Sequence, residues 1–262
     1  MIRIDCDFRS ETLGMATSLA ALIPSACGKP AERGCAIGRP AYPVLYLLHG
    51  LSDDETTWQR STSIERYAEV YPFVIVMPRG GRSFYSDAIG AKYWTFLSEE
   101  LPALVSALLP VSTMRADTYA AGLSMGGYGA FKLGLRCPGR FAAVASLSGS
   151  VDIRHRLELW PAELKSEFHY LADNDNDLLY LMRKLAASSI PLPRFYQCCG
   201  TEDFLYEDNR KFLMAARQHR LDITCEEEPG DHEWGFWDRM IQKVLVWLMA
   251  TRQAENLISK QN

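Results

Sequence analysis

Gly122-Leu123-Ser124-Met125-Gly126 is the stretch whose reading decides the fold. It spells G-x-S-x-G, a short pattern that means little without its flanks. The apolar run 118–121 before it reads as a short strand, and Tyr128, Ala130, Phe131 and Leu135 after it fall at helical spacing. Strand, sharp turn and helix together form the setting in which this pattern lifts a nucleophilic serine above the end of a sheet. In so sharp a turn the strand and helix backbones nearly touch. Gly122 and Gly126 omit the side chains that would collide, and Gly127 adds room. The helix start aims backbone N–H groups at the point where negative charge would develop on a carbonyl, and the N–H of Met125 is one candidate donor. A dinucleotide-binding reading of the same glycines fails. Serine stands at 124 where the pattern needs glycine, and Lys132 stands at the third glycine if the pattern starts at Gly127.

Working outward, the chain repeats strand, loop and helix. Val44-Leu45-Tyr46-Leu47-Leu48 and the run 73–77 are apolar on both faces, as buried parallel strands are. Further strands are expected at 142–147, 195–199 and 223–225. Near the N-terminus, Ile2, Ile4, Cys6 and Phe8 alternate with polar residues as a half-exposed strand does, and a second strand over 19–23 stops at Pro24. Trp94, Leu97, Leu101, Leu104, Val105 and Leu108 predict a helix over 94–109, with Pro102 marking a kink or restart inside it. Phe212, Ala215 and Ala216 mark another helix, and Val244, Trp247 and Leu248 a C-terminal one. Such alternation predicts an α/β fold: a mostly parallel sheet flanked by helices. With the serine elbow, that is the α/β-hydrolase fold. No linker or repeat divides residues 1–262, so a single domain is expected. The rhythm breaks over 151–191, which is charged and reads as a cap-like insertion over the carboxyl ends of the strands, where ligands bind.

The partners of Ser124 follow from chain order, which in this fold runs serine, acid, histidine. Of the 5 histidines, His49 precedes the serine, His155 and His169 lie in the insertion, and His219 sits at a polar helix end. His232, in Pro229-Gly230-Asp231-His232-Glu233-Trp234, lies between the last strand and the last helix, where the general base belongs. The acid must end a strand between the two. Asp203, in Cys199-Gly200-Thr201-Glu202-Asp203, is the choice over its neighbour Glu202. It would hold the imidazole in the tautomer that accepts the serine proton. His49-Gly50-Leu51 follows an early strand, so the N–H of Leu51 is the second oxyanion donor, with His49 bracing the loop. Among the aromatic residues near these motifs, Trp58, Tyr206 and Trp234 are candidates to bind substrate, and Trp94 and Trp237 to fill the core. The acidic run Asp173-Asn174-Asp175-Asn176-Asp177 fails as a calcium loop, because Leu178 and Lys184 stand where glycine and glutamate are needed. It reads as a solvated loop or helix cap, and no metal is expected.

Bulk properties exclude other classes. With 28 basic and 32 acidic residues the net charge is -4, which offers no basic face for nucleic acid or a membrane surface. Hydrophobic residues at 48% and charged residues at 23% suit a globular chain with a sizeable core. The 7 cysteines (Cys6, Cys27, Cys35, Cys137, Cys198, Cys199 and Cys225) are odd in number and scattered, which argues against a disulfide framework. Reduced thiols and a charged N-terminus predict a cytoplasmic protein. The sequence leaves open whether copies assemble as a homo-oligomer.

Four blocks carry a resemblance. They are Leu47-Leu48-His49-Gly50-Leu51-Ser52, Gly122 to Gly129, Cys199-Gly200-Thr201-Glu202-Asp203-Phe204-Leu205-Tyr206 and His232-Glu233-Trp234. Together they resemble the bacterial tributyrin esterases of the esterase D group, whose relatives include S-formylglutathione hydrolases. The resemblance runs from about residue 2 to the C-terminal helix and is weakest over 25–41 and 151–191. It implies a carboxylesterase for short acyl chains that needs no cofactor and acts on a small-molecule ester through Ser124, Asp203 and His232. Asp53-Asp54-Glu55-Thr56-Thr57-Trp58 departs from the pattern usual in formylglutathione hydrolases, which disfavours a glutathione thioester. Two alternatives remain: a thioesterase using the same residues, and a catalytically silent binding module.

Overall fold

The computed structural model describes residues 1–25 and 41–258. Cys27, Cys35 and the rest of residues 26–40, a stretch whose Gly, Ala and Pro content reads as a loop, lie outside the described residues. In chain order the strands are β1 (Ile2–Ser10), β2 (Met15–Ile23), β3 (Val44–Leu48), β4 (Val74–Pro78), a short hairpin of β5 (Asp87–Ala88) and β6 (Ala91–Lys92), β7 (Thr118–Leu123), β8 (Ala143–Leu147), β9 (Arg194–Gly200) and β10 (Ile223–Glu228). The helices are α1 (Thr57–Ser61), α2 (Ile64–Ala68), α3 (Tyr93–Thr95), α4 (Leu101–Leu108), α5 (Met125–Arg136), α6 (Ile153–Leu159), α7 (Ala162–Glu167), α8 (Leu178–Ala186), α9 (Tyr206–Gln218) and α10 (Trp234–Ile258). No helix among the described residues is long and apolar enough to cross a membrane.

One 8-stranded sheet runs in the order β1-β2-β4-β3-β7-β8-β9-β10. The β1–β2 hairpin is antiparallel and joins β4 antiparallel; every other pairing in this sheet is parallel. This is the α/β-hydrolase fold, as expected. Strand parity divides the core. Val44, Tyr46, Leu48, Val74, Val76 and Ala120 face α4, α5, α8 and α9. Leu45, Leu47, Ile75, Met77, Tyr119 and Ala121 face α2 and α10 on the other side. A strand buried on both faces has no polar alternation to show, which is why β3 and β4 read as continuous apolar runs.

The expected helix over 94–109 is three pieces. A π-helical turn, Phe96–Glu100, separates α3 from α4, and Pro102 sits in the first turn of α4. Pro102 has no N–H to offer the carbonyl of Ser98, and the Arg140 guanidinium donates to that carbonyl instead. Proline thus marks a restart with its own substitute donor. The strand expected over 19–23 starts earlier, at Met15, because pairing with β1 orders residues that show no strong pattern of their own. The pieces α1, α2, β5 and β6 were not legible, being too short to display a period.

Candidate active site

Ser124 sits between β7 and α5 with φ 52° and ψ −116°, a backbone conformation that L-residues rarely adopt. Three features hold it there. Its N–H donates to the Leu147 carbonyl at 2.9 Å, and its carbonyl accepts from the N–H of Tyr128 at 3.1 Å and of Ser150 at 3.2 Å. The flanking glycines are required by contact. A Cβ on Gly122 would lie 2.5 Å from the Gly126 carbonyl carbon, and one on Gly126 would lie 2.7 Å from the His49 carbonyl oxygen. The strained turn is therefore fixed by β3, β7, β8 and α5 together.

The loop after β10 brings His232 over the serine, with Nε2 3.0 Å from Ser124 Oγ. On its other side, Nδ1 is 2.8 Å from Asp203 Oδ2. Asp203 follows β9, its side chain is fully buried, and its Oδ1 accepts the Leu205 N–H at 2.8 Å. Glu202, next to it, points to solvent. Its carboxylate accepts from the Gly230 N–H and the Thr201 hydroxyl, and the Gly230 bond holds its pKa below the usual carboxylate range. Glu202 thus braces the loop that carries His232. Asp231 turns back on the chain to accept the His232 N–H at 2.7 Å. The imidazole is wedged between the ring of Phe204, 4.6 Å away, and that of Trp237, 4.9 Å away, which fixes its plane.

Leu51 and Met125 flank the serine, Leu51 beside Ser124 in the cavity lining and Met125 as the first residue of α5. Neither backbone N–H has a backbone partner among the described residues. His49 does not reach the serine. Its ring is buried with Nδ1 2.7 Å from the Gly50 carbonyl, while Nε2 accepts the Gly80 N–H at 2.8 Å. With both nitrogens engaged and burial lowering its pKa, the ring is a neutral brace of the loop.

A cavity of about 540 Å³ opens above these groups. Trp234 lines it. Trp58 and Tyr206, expected to bind substrate, do not. The Trp58 indole is 1% exposed, donates to the Leu48 carbonyl at 3.0 Å and packs edge-on against Trp234, so it supports a wall residue from behind. Tyr206 begins α9 and faces away, and Phe204, two residues earlier, takes the wall position. Trp237 is a core residue by burial, yet it also reaches the cavity. From segment 151–191 come Arg156 and Trp160, both on or just after α6. They share one helical face, but no sequence signal tied that face to the serine.

Within the acidic run 173–177, Asp177 caps α8 by accepting the Tyr180 N–H, while Asn176 is buried and accepts from Lys132. Among the described residues one other group could bring metal ligands together: Asp152, His155 and Asp208. There Lys211 already contacts Asp152, and Arg156 faces Asp208 at 3.6 Å, so the chain supplies its own cations.

A strained elbow serine, a histidine and a buried aspartate at the carboxyl ends of parallel strands define the protein as a serine hydrolase of the α/β-hydrolase class. Residues 38–248 match the family described as putative esterase, and the chain belongs to that family. An acetyl esterase of Caldicellulosiruptor saccharolyticus is 27% identical over 95% of this chain and 98% of its own. Two solved structures from Staphylococcus aureus are also similar. The fluorophosphonate-binding serine hydrolase FphF, solved with substrate bound, is 32% identical with a TM-score of 0.86, covering 94% of this chain and 98% of its own. The S-formylglutathione hydrolase FrmB is 30% identical with a TM-score of 0.83 over the same shares. The protein is a serine carboxylic-ester hydrolase.

Proposed function

We propose that the chain hydrolyses short acyl esters, acetyl-like in size, through an acyl-enzyme on Ser124. Ser124 Oγ attacks the ester carbonyl while its proton passes to His232 Nε2. Asp203 holds the Nδ1 proton and stabilises the imidazolium. The N–H groups of Leu51 and Met125 hold the oxyanion. As the tetrahedral species collapses, Nε2 returns the proton to the leaving alcohol. Water then repeats the sequence on the acyl-enzyme and frees the acid. The unbroken line Ser124–His232–Asp203, with contacts of 3.0 and 2.8 Å, carries this reading. Trp160, Trp234 and Trp237 crowd the floor and walls, which suits small acyl groups. We read residues 1–262 as one domain with 151–191 as its cap. The 5 free cysteines among the described residues suit a reducing, cytosolic setting.

Likeness to a protein named S-formylglutathione hydrolase supports a second reading, in which the same residues cleave a thioester. The test is turnover of p-nitrophenyl esters of rising acyl length beside S-formylglutathione, by wild type and Ser124→Ala. We expect acetate and butyrate to be preferred, and Ser124→Ala to fold but lose roughly a thousandfold or more in kcat. Faster turnover of the thioester would favour the second reading. Retention of most activity by Ser124→Ala would remove the serine mechanism.

A further inference from the structure

The cavity wall holds one cationic side chain whose surroundings ask for a ligand. Arg156, on cap helix α6, is 14% exposed and lines the cavity together with Ser124 and His232. Its one charged partner within 4.0 Å among the described residues is Asp208, and at 3.6 Å that pair is looser than a hydrogen bond. Asp208 lies behind the cavity wall rather than in it. Its Oδ1 is engaged by His155 at 2.5 Å, and its buried Oδ2 has no hydrogen-bond partner. Asp208 therefore balances the charge of Arg156 from the rear and leaves the guanidinium donors facing the cavity unspent. A guanidinium removed from bulk water with unspent donors is costly until an acceptor arrives.

Its position says which part of a substrate would bring that acceptor. The Arg156 guanidinium lies over the Phe204 ring, 5.3 Å from Cζ to the ring centre. Phe204 in turn packs 4.6 Å from the His232 ring. One aromatic ring thus bridges Arg156 and the imidazole. The imidazole hands its proton to the leaving oxygen, so the leaving half of the substrate must lie beside His232. Substituents on that half are the ones that can reach Arg156. A planar guanidinium fork matches the two oxygens of a carboxylate. Asp53 and Glu233 also line the cavity, so a singly charged group fits better than a phosphate dianion. Trp160, one turn along from Arg156, lines the same cavity and adds apolar surface to it.

We infer that Arg156 recognises a carboxylate on the alcohol or thiol half of the substrate, so that the preferred substrates are short acyl esters of hydroxy acids or thioesters of thiol acids. This rests on the esterase reading above. The probes are 3-acetoxybenzoate and 3-acetoxybenzamide, which share an acetyl group and differ in charge on the leaving half. Each kcat/KM is normalised to the probe's hydroxide-catalysed rate. In wild type the acid is expected to exceed the amide by about tenfold or more, as a charge-assisted contact allows, and the ratio should shrink with added salt. In Arg156→Gln the ratio should fall to near one, with Arg156→Lys between. A wild-type ratio near one, or a preference that survives in Arg156→Gln, overturns the inference while leaving the esterase intact. Failure of wild type to cleave either probe overturns the esterase reading itself and this inference with it. Should both variants misfold, inhibition of wild type decides: 3-hydroxybenzoate should bind about tenfold tighter than 3-hydroxybenzamide, and equal binding refutes the site.

Discussion

Asp203 and Glu202 are chain neighbours with opposite surroundings. One is buried against His232; the other is spent in solvent on Gly230 and Thr201. Their amides should therefore behave differently. Asp203→Asn keeps the shape but offers His232 the wrong partner, and a loss on the order of 10⁴ in kcat is expected. Glu202→Gln keeps an acceptor for the Gly230 N–H and should cost no more than about tenfold, since a neutral loop hydrogen bond contributes little. Steady-state kinetics on p-nitrophenyl acetate compares the two. Equal losses would move the orienting role away from Asp203.

At the scale of elements, α5 does more than start at Ser124. Lys132, on its buried face, is 0% exposed, and no ion pair involving it occurs among the described residues. Its Nζ donates to the Tyr85 carbonyl at 3.2 Å and, at 2.6 Å each, to Ser86 Oγ and Asn176 Oδ1, above the Trp94 ring. It thereby ties the elbow helix to the loop where Phe84 and Tyr85 take positive φ, and to segment 151–191 through Asn176. Burial pushes the Lys132 pKa well below the usual lysine value. The unfolded chain then holds the proton more firmly than the fold does. Stability should accordingly rise as pH climbs from the depressed value towards the ordinary one of about 10. Denaturant unfolding of wild type against Lys132→Met between neutral pH and pH ~10 checks this. The stability of wild type relative to the variant should grow with pH, and a flat difference would show that the amine is not desolvated.

For the molecule as a whole, segment 151–191 contributes Arg156 and Trp160 to the lining of the cavity. Trp160 joins segment 151–191 to the loop that follows β4, its ring 5.5 Å from that of Phe84 and 5.2 Å from that of Phe168. The Arg82–Glu167 ion pair closes the same seam at the surface. Trp160→Ala removes apolar wall without touching Ser124 or His232. The kcat/KM for p-nitrophenyl hexanoate relative to acetate should rise several-fold, about what one or two added methylenes gain in a roomier apolar pocket. An unchanged ratio would mean that the wall of α10, through Trp234 and Trp237, sets the limit instead.

What the sequence determined by itself is whatever contiguous residues impose on their own backbone. Gly122 to Gly126 forces the elbow, continuous apolar runs force buried strands, and chain order places Ser124, Asp203 and His232 after the ends of three strands, β7, β9 and β10. Even the break at Pro102 was visible, because a missing N–H is a property of one residue. The donor that replaces it, Arg140, was not. Only the tertiary structure decided which aromatic rings face the cavity. Trp58, Phe204 and Trp237 are alike as apolar residues near motifs, and their roles diverge because Trp58 is turned by a hydrogen bond to Leu48 while Phe204 is left facing His232. The same holds for Arg156 and Lys132. A cation on a helix reads as a solvent-facing residue in sequence, and becomes a cavity wall or a buried strut only when distant segments close over it. Side-chain direction at an element's surface depends on packing between elements, and that information is spread over the whole chain.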